Sequence, residues 1–176
     1  MPAAADLAGQ GRDVPRVLSI AGSDPSGGAG IQADLKSIAA HGGYGMAAIT
    51  ALTAQNTCGV SAVHVPPAAF LTRQLEAISD DIVIDAVKIG MLGDAEVIEA
   101  VRGWLAKVRP AVVVLDPVMV ATSGDRLLQE SAEAALRGLL PLAHLITPNL
   151  AELAMLVGGP VQETWDGALE QGRQLA

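Results

Sequence analysis

Aromatic residues and cysteine are scarce in this chain. Two Trp, one Tyr and one Phe make up 2% of its 176 residues, whereas 51% are hydrophobic. A core of ample size must therefore be built from Ala, Val, Leu and Ile, and the length suits one domain. The single cysteine, Cys58, excludes an internal disulfide and fits the reducing cytoplasm.

Positive charge and long apolar runs are also lacking. Eleven Lys and Arg stand against 19 Asp and Glu, and the net charge of −8 argues against nucleic acid and against an anionic membrane surface. No run reaches the ~20 apolar residues that a membrane span requires. The three His residues show no ligand spacing with each other or with Cys58, so we predict no zinc site. A small molecule is the expected partner.

Residues 1–15 lack the pattern of a signal peptide, because no basic start is followed by an apolar stretch. They contain Ala, Gly, Pro and scattered charges, and we expect a disordered tail. Residues 16–176 then form the ordered domain.

Glycine and serine are concentrated in residues 22–30, with the sequence Gly-Ser-Asp-Pro-Ser-Gly-Gly-Ala-Gly. An apolar run precedes this stretch, and Ile31, Leu35 and Ile38 follow at helical spacing, which predicts a strand, a glycine loop and a helix. Such a loop lets a ligand approach the backbone, and the first helical amides are expected to be unpaired there. A P-loop is excluded, because Gly28 and Ala29 stand where Lys-Ser/Thr is required, and no Gly-x-Gly-x-x-Gly follows. An ordinary strand-to-helix turn is the alternative.

Apolar runs and helical patterns alternate along the rest of the chain, which predicts an α/β fold with a mostly parallel sheet. The first helix should end at residues 41–43, and residues 53–60 read as a polar loop. Ligands of such sheets lie beyond the carboxyl ends of the strands. The predicted strands cover residues 45–52, 60–65 (a short edge strand), 82–89, 111–115 and 144–147, and the later helices cover 68–80, 95–108, 130–140, 149–157 and 165–175.

Several polar residues follow the predicted strands or border the first helix. Asp34 lies at the shoulder of the helical apolar stripe, as a surface residue or turned toward the site. The carboxamide of Gln55 suits an aminopyrimidine edge, or it bonds to its own loop. Asp116 ends a buried strand and must meet water, a donor or a cation, unless it serves only an Asx-Pro turn. Asn149 and Glu152 have the spacing of a helix cap.

Residues 21–35 resemble the first signature of the hydroxymethylpyrimidine/phosphomethylpyrimidine kinases of thiamine biosynthesis, a branch of the ribokinase superfamily. Residues 51–57, 85–92, 112–119 and 145–152 resemble later signatures of the same family. The resemblance implies a three-layer ribokinase-like sandwich in a cytoplasmic enzyme. It also implies ATP- and Mg²⁺-dependent phosphorylation of 4-amino-5-hydroxymethyl-2-methylpyrimidine, and then of its monophosphate.

The resemblance also assigns roles to individual residues. Those implied to contact the pyrimidine are Gly22, Asp34, Gln55, Met91 and Val118; those implied to hold magnesium are Asp116 and Glu152, with Asn149 at the nucleotide phosphates. By pattern alone, Met91 would more simply be a core residue.

The family's later Lys-Gly-Gly stretch and its Gly-Thr-Gly-Cys or Gly-x-Gly-Asp loop do not occur in these 176 residues. We therefore expect residues 16–176 to be the N-terminal part of one kinase domain, with a sheet that is incomplete at the C-terminus. No catalytic residue is expected in this chain, because the base and the anion hole should lie beyond Ala176. The isolated chain should then be inactive. A pyridoxal or pyridoxine kinase and a non-catalytic pyrimidine-binding fragment are the alternatives, and a homodimer is considered.

Overall fold

The computed structural model describes residues 14–119 and 128–175, which form seven strands and six helices. The strands are β1 (Arg16–Ala21), β2 (Tyr44–Ile49), β3 (Leu52–Asn56), β4 (Gly59–His64), β5 (Ala86–Ile89), β6 (Val112–Leu115) and β7 (Leu145–Ile146). The helices are α1 (Gly30–Ala40), α2 (Ala68–Ser79), α3 (Ala95–Val108), α4 (Glu133–Leu139), α5 (Leu150–Val157) and α6 (Trp165–Leu175).

Five strands form one sheet in the order β2-β1-β5-β6-β7, and every neighbouring pair is parallel. The predicted α/β class with a mostly parallel sheet is confirmed. Because the strands are parallel, their carboxyl ends lie on the same side of the sheet, which is where ligands of such sheets bind.

Helices cover both faces of the sheet. Met46 of β2 is buried in a cluster with Leu71 and Leu75 of α2. Its neighbour Gly45 faces the other way, since a Cβ there would lie 2.8 Å from the Leu35 side chain of α1. Successive strand residues point to opposite faces. The arrangement is therefore three-layered, as predicted.

The main core lies between the sheet and α2, α3 and α4, and it is aliphatic, as the composition predicts. Trp104 of α3 is its one large aromatic residue, and the Trp104 indole N–H donates to Ser79 Oγ at 3.2 Å. The strand residues that point into this core are fully or almost fully buried: Leu18, Ile20, Met46, Ala48, Val87, Ile89, Val113 and Leu115.

The segment after β2 differs from the prediction. The short strand predicted over residues 60–65 is present as β4, but the predicted polar loop over residues 53–60 contains most of β3, and the two strands pair as an antiparallel hairpin outside the main sheet. The turn is closed by Asn56, whose side-chain oxygen accepts from the amides of Cys58 at 2.8 Å and Gly59 at 3.2 Å. An Asn in this position is a turn signal that the sequence contains.

Two other boundaries also differ. The predicted strand over residues 82–89 shrinks to β5, because the chain leaves α2 through further helical turns, with the Ile82 amide donating to the Ile78 carbonyl. The predicted helix over residues 130–140 begins as a 3₁₀ turn at Glu130–Ala132 before α4. Of the predicted tail, only Val14 and Pro15 lie in the described part, and the Pro15 carbonyl accepts from the Tyr44 amide at 2.8 Å. Within residues 14–119 and 128–175, no helix is long and apolar enough to cross a membrane.

Candidate functional site

A cavity of about 160 Å³ opens at the carboxyl ends of β1, β5 and β6. Gly22 follows β1, Met91 follows β5, Val118 follows β6, and Gln55 reaches the cavity from the β3–β4 hairpin. The structure thus brings together four of the five residues predicted to contact the ligand.

Asp24 organises the glycine loop beside this cavity. Its carboxylate is 2% exposed and accepts from the Ser26 amide and hydroxyl and from the amides of Gly28 and Ala29, at 2.7–3.0 Å. Burial raises the pKa of Asp24, but the hydrogen bonds from Ser26, Ala29 and Gly28 outweigh burial and leave this pKa below its ordinary value. The group is therefore a charged carboxylate at neutral pH.

The expectation of unpaired amides at the start of α1 is wrong in part: among the described residues the amides of Gly30 and Gln32 have no partner, but those around them are paired. Gly28 and Ala29 donate to Asp24, and the amide of Ile31 donates to the Gly22 carbonyl at 3.0 Å. Gly30 has φ +55°, and a side chain there would collide with the Gly22 carbonyl. The paired amides hold the loop together and are not available to a ligand.

Met91 lies against Gly22 of the loop, and its backbone is held by Thr50, the residue that follows β2. A Cβ on Gly22 would come within 2.9 Å of the Met91 methyl group, so Gly22 leaves room for the thioether. The hydroxyl of Thr50, which is 1% exposed, donates to the Met91 carbonyl at 2.5 Å. The Met91 backbone is therefore held by a contact that the sequence analysis missed.

The hairpin is joined to the loop by two hydrogen bonds that Thr53 donates to Ser23. The Thr53 amide donates to Ser23 Oγ at 3.0 Å, and the Thr53 hydroxyl donates to the Ser23 carbonyl at 2.8 Å. Gln55 follows two residues later on the same side of β3. Within the described part of the chain its carboxamide has no hydrogen-bond partner, so its donors and acceptor are available to a ligand.

Asp34, Lys88 and Asp116 form a chain of alternating charges beside the cavity. Asp34 Oδ2 accepts from Ser19 Oγ at 2.7 Å and from Lys88 Nζ at 3.1 Å, and Lys88 Nζ lies 3.9 Å from Asp116 Oδ2. Asp34 is thus turned toward the sheet, but it is not among the residues that line the cavity; Lys88 lies between. A Lys within an apolar strand is a signal that sequence reasoning could have used.

Asp116 lies among other charged side chains at the end of β6. Burial raises the pKa of its carboxyl, Lys88 lowers it, and the nearby carboxylates of Glu152 and Asp34 raise it further, so that the pKa lies above the ordinary value. Neighbouring carboxylates disfavour one another's charged form, and the Lys88 ammonium, 3.9 Å from Asp116 Oδ2, offsets part of that repulsion.

Asn149 and Glu152 form the predicted helix cap at α5. Asn149 Oδ1 accepts from the Glu152 amide, and Glu152 Oε2 accepts from the Asn149 amide, both at 2.9 Å. The other carboxylate oxygen of Glu152 accepts from the Met119 amide at 3.2 Å, and the residue is 3% exposed. Glu152 therefore ties the segment after β6 to the start of α5. Among the described residues, no cluster of three or more His, Cys, Asp or Glu side chains is placed to hold a metal ion.

The family model described as phosphomethylpyrimidine kinase matches residues 24–176. This chain belongs to the phosphomethylpyrimidine kinase family. The hydroxymethylpyrimidine/phosphomethylpyrimidine kinase of Escherichia coli is 53% identical over 159 residues, which are 90% of this chain and 60% of that protein. The thiamine biosynthesis multifunctional protein ThiED of Corynebacterium efficiens is 57% identical over 162 residues, which are 92% of this chain and 22% of that protein.

Solved structures agree with this assignment. The phosphomethylpyrimidine kinase of Clostridium difficile superposes with a TM-score of 0.85 at 45% identity, covering 92% of this chain and 70% of that one. The Bacillus subtilis pyridoxal kinase, solved as an ADP complex, gives a TM-score of 0.82 at 37% identity, covering 93% and 61%. The fold is therefore that of the family, while the chain spans 60% or less of these two curated relatives.

Proposed function

We propose that residues 16–176 are the N-terminal part of a cytoplasmic kinase that phosphorylates 4-amino-5-hydroxymethyl-2-methylpyrimidine, and then its monophosphate, in thiamine diphosphate biosynthesis. The observation that carries the proposal is the open carboxamide of Gln55 at a cavity also lined by Gly22, Met91 and Val118. Membership of the family supports the reaction class.

In the proposed complex the pyrimidine ring lies in this cavity. Gln55 offers an acceptor and two donors, which match an amino group beside a ring nitrogen. Met91 and Val118 supply apolar contact for the ring faces. Asp34 acts on the ring through Lys88, or directly with its second carboxylate oxygen, for which no partner occurs among the described residues.

The proposed cofactors are ATP and Mg²⁺. Asp116 offers a carboxylate of the kind that Mg²⁺ prefers, and Mg²⁺ usually binds one or two protein carboxylates together with the substrate phosphates. Both oxygens of Glu152 accept backbone hydrogen bonds and the residue is 3% exposed, so Glu152 is proposed to act on Mg²⁺ through its negative charge rather than as a direct ligand. A bound Mg²⁺ supplies neutralisation of the phosphate charge in phosphoryl transfer. Asn149, at the start of α5, is proposed to face the nucleotide phosphates. The base and the anion hole are not assigned to any residue of this chain, so ligand binding rather than turnover is the appropriate readout.

A pyridoxal kinase is the second candidate, because the Bacillus subtilis pyridoxal kinase shares the fold at 37% identity. A pyridine ring lacks the aminopyrimidine edge that Gln55 would recognise. The identity to the Escherichia coli pyrimidine kinase is higher, at 53%, which favours the pyrimidine.

A homodimer is also proposed, with the β3–β4 hairpin as its contact surface. Leu52 of β3, Val63 of β4 and Val65 just after β4 are 47%, 48% and 38% exposed, and the proposed contact would cover these apolar side chains.

Titration calorimetry with this chain tests the function. We expect it to bind 4-amino-5-hydroxymethyl-2-methylpyrimidine more tightly than pyridoxal. Gln55→Leu should weaken pyrimidine binding by about 1–3 kcal/mol, roughly 5- to 150-fold in Kd, because the polar edge of the ring loses its partner. Binding of ATP should be nearly unchanged.

Gln174→Leu is the matched control, because Gln174 is exposed on α6, outside the cavity lining. An unchanged pyrimidine Kd in Gln55→Leu would contradict the assignment of Gln55. Tighter binding of pyridoxal than of the pyrimidine by the wild-type chain would favour the second candidate.

A further inference from the structure

Lys88 is the charged residue of an otherwise apolar strand, β5. Its neighbours Val87 and Ile89 are buried in the main core, so the Lys88 side chain lies on the opposite face. Register neighbours on that face are Ser19 of β1 and Val114 of β6. An ammonium in the middle of a sheet requires a hydrogen-bond or ion-pair partner.

Not every N–H group of the Lys88 ammonium has an acceptor among the described residues. An ammonium has three N–H donors. Within the described part of the chain one of them donates to Asp34 Oδ2 at 3.1 Å, while Asp116 Oδ2 lies beyond hydrogen-bond distance at 3.9 Å. The Lys88 side chain is 28% exposed and lines the cavity. At least one N–H group is therefore available to a ligand.

Gly90 keeps the space beside this ammonium open. A Cβ at Gly90 would lie 3.1 Å from Lys88 Nζ and 3.1 Å from Ala21 Cβ, which is tight for both. The other charged residues that line the cavity are Asp24 and Asp116, and Asp24 already accepts four hydrogen bonds. Among the described lining residues, Lys88 is thus the one cation.

We propose that Lys88 binds the exocyclic oxygen of the substrate, first the hydroxyl of the hydroxymethyl group and then the phosphate of the monophosphate, and so determines how well the phosphorylated pyrimidine binds. The proposal rests on the proposed function. Gln55, Lys88 and Asp116 line the same cavity, and Lys88 Nζ lies 3.9 Å from Asp116 Oδ2. The proposal places the amino edge of the ring at Gln55 and the neighbouring hydroxymethyl group at Lys88.

Charge explains why the effect should differ between the two substrates. A phosphate placed here would meet the carboxylates of Asp116 and Asp34, and the Lys88 ammonium offsets that repulsion while donating a charge-assisted hydrogen bond. The neutral hydroxymethyl compound needs only one ordinary hydrogen bond. Removal of the ammonium should therefore weaken binding of the monophosphate much more than binding of the unphosphorylated pyrimidine.

The test measures the Kd of both pyrimidines for the 176-residue chain, by calorimetry without nucleotide or Mg²⁺. In Lys88→Met the Kd of the monophosphate should rise at least about tenfold more than that of the unphosphorylated pyrimidine. Lys88→Arg keeps the positive charge, so the ratio of the two Kd values should stay close to that of the wild type. Lys36→Met is the matched control, because it removes the same charge near the glycine loop, where Lys36 Nζ donates to the Gly27 carbonyl outside the cavity lining.

If Lys88→Met fails to fold because Asp34 loses its partner, Lys88→Met combined with Asp34→Asn removes the uncompensated charge and allows the same comparison. Equal weakening of both ligands would overturn the proposal, because a purely structural lysine affects both alike. A loss of discrimination in Lys36→Met as large as in Lys88→Met would overturn it too. If the wild-type chain binds neither pyrimidine, the proposed function fails and the role of Lys88 with it.

Discussion

The Asp24 carboxylate shows how one buried residue shapes the ligand site. It accepts four hydrogen bonds from the glycine loop. Ser23, the residue before Asp24, accepts a hydrogen bond from the Thr53 amide of the hairpin. Loss of the carboxylate would therefore disturb both walls of the cavity.

Asp24→Asn tests this role. The amide NH₂ cannot accept, so part of the loop loses its partner, and we expect a loss of about 1–3 kcal/mol in the free energy of unfolding, measured by urea denaturation. Ser26→Ala removes only the hydroxyl that donates to Asp24 and should cost about 0.5–1.5 kcal/mol. Equal stability of Asp24→Asn and the wild type would contradict the account of the loop.

Residues that carry local signals could be predicted from the sequence. The cap formed by Asn149 and Glu152 is an example, since its two members are three residues apart. Thr50 and Lys88 could not be placed in the same way, because their partners Met91 and Asp34 lie 41 and 54 residues away along the chain. Their roles depend on which strands become neighbours in the sheet.

Elements with strong signals at their ends are the ones whose bounds the sequence predicts best. Helix α3 covers the predicted residues because Asp94 caps its start, with Oδ1 accepting from the Val97 amide, and Arg109 ends it in a left-handed conformation. The sequence predicts a strand at β4 but not at β3, because none of the β3 residues is buried and no apolar pattern marks that strand.

The starts of β1 and β5 are linked by an ion pair with a pH dependence. Arg16 Nε and Nη2 donate to the two oxygens of Asp85 at 2.9 Å, and the Arg16 amide donates to Oδ2 at 2.8 Å. The side-chain and backbone hydrogen bonds from Arg16 lower the pKa of Asp85 against the effect of burial. The stabilisation is therefore present above the ordinary pKa of 3.8 and is lost as the pH falls through the lower folded value.

We expect Asp85→Asn to reduce stability at neutral pH and to reduce the loss of stability on acidification below the ordinary carboxyl range. Urea denaturation at a series of pH values measures both effects. Asp81→Asn, at an exposed position just before β5, is the control and should leave the acid dependence as in the wild type. An acid dependence of Asp85→Asn identical to that of the wild type would show that this pair does not contribute.

At the scale of the whole molecule, the chain keeps the family's arrangement of sheet and helices, with a TM-score of 0.85 to a solved phosphomethylpyrimidine kinase. At one edge of the sheet, β7 pairs with β6 and has no second strand partner among the described residues, and it borders a groove of about 720 Å³. The cavity is separate from this groove, because its lining residues lie between positions 21 and 118, whereas those of the groove lie between positions 137 and 175. Pyrimidine binding can therefore be tested in this chain itself.

The most direct measurement is a methyl NMR titration of the chain with ¹³C-labelled methionine methyl groups. The account predicts that 4-amino-5-hydroxymethyl-2-methylpyrimidine shifts the Met91 methyl resonance in a saturable way, because the ring lies against that side chain. The resonances of Met46 and Met155, which belong to or pack against the main core, should stay in place. The spectrum of Met91→Leu assigns the signal. An unmoved Met91 resonance at high pyrimidine concentration, or a shift confined to Met46 or Met155, would contradict the claim that this cavity is the pyrimidine site.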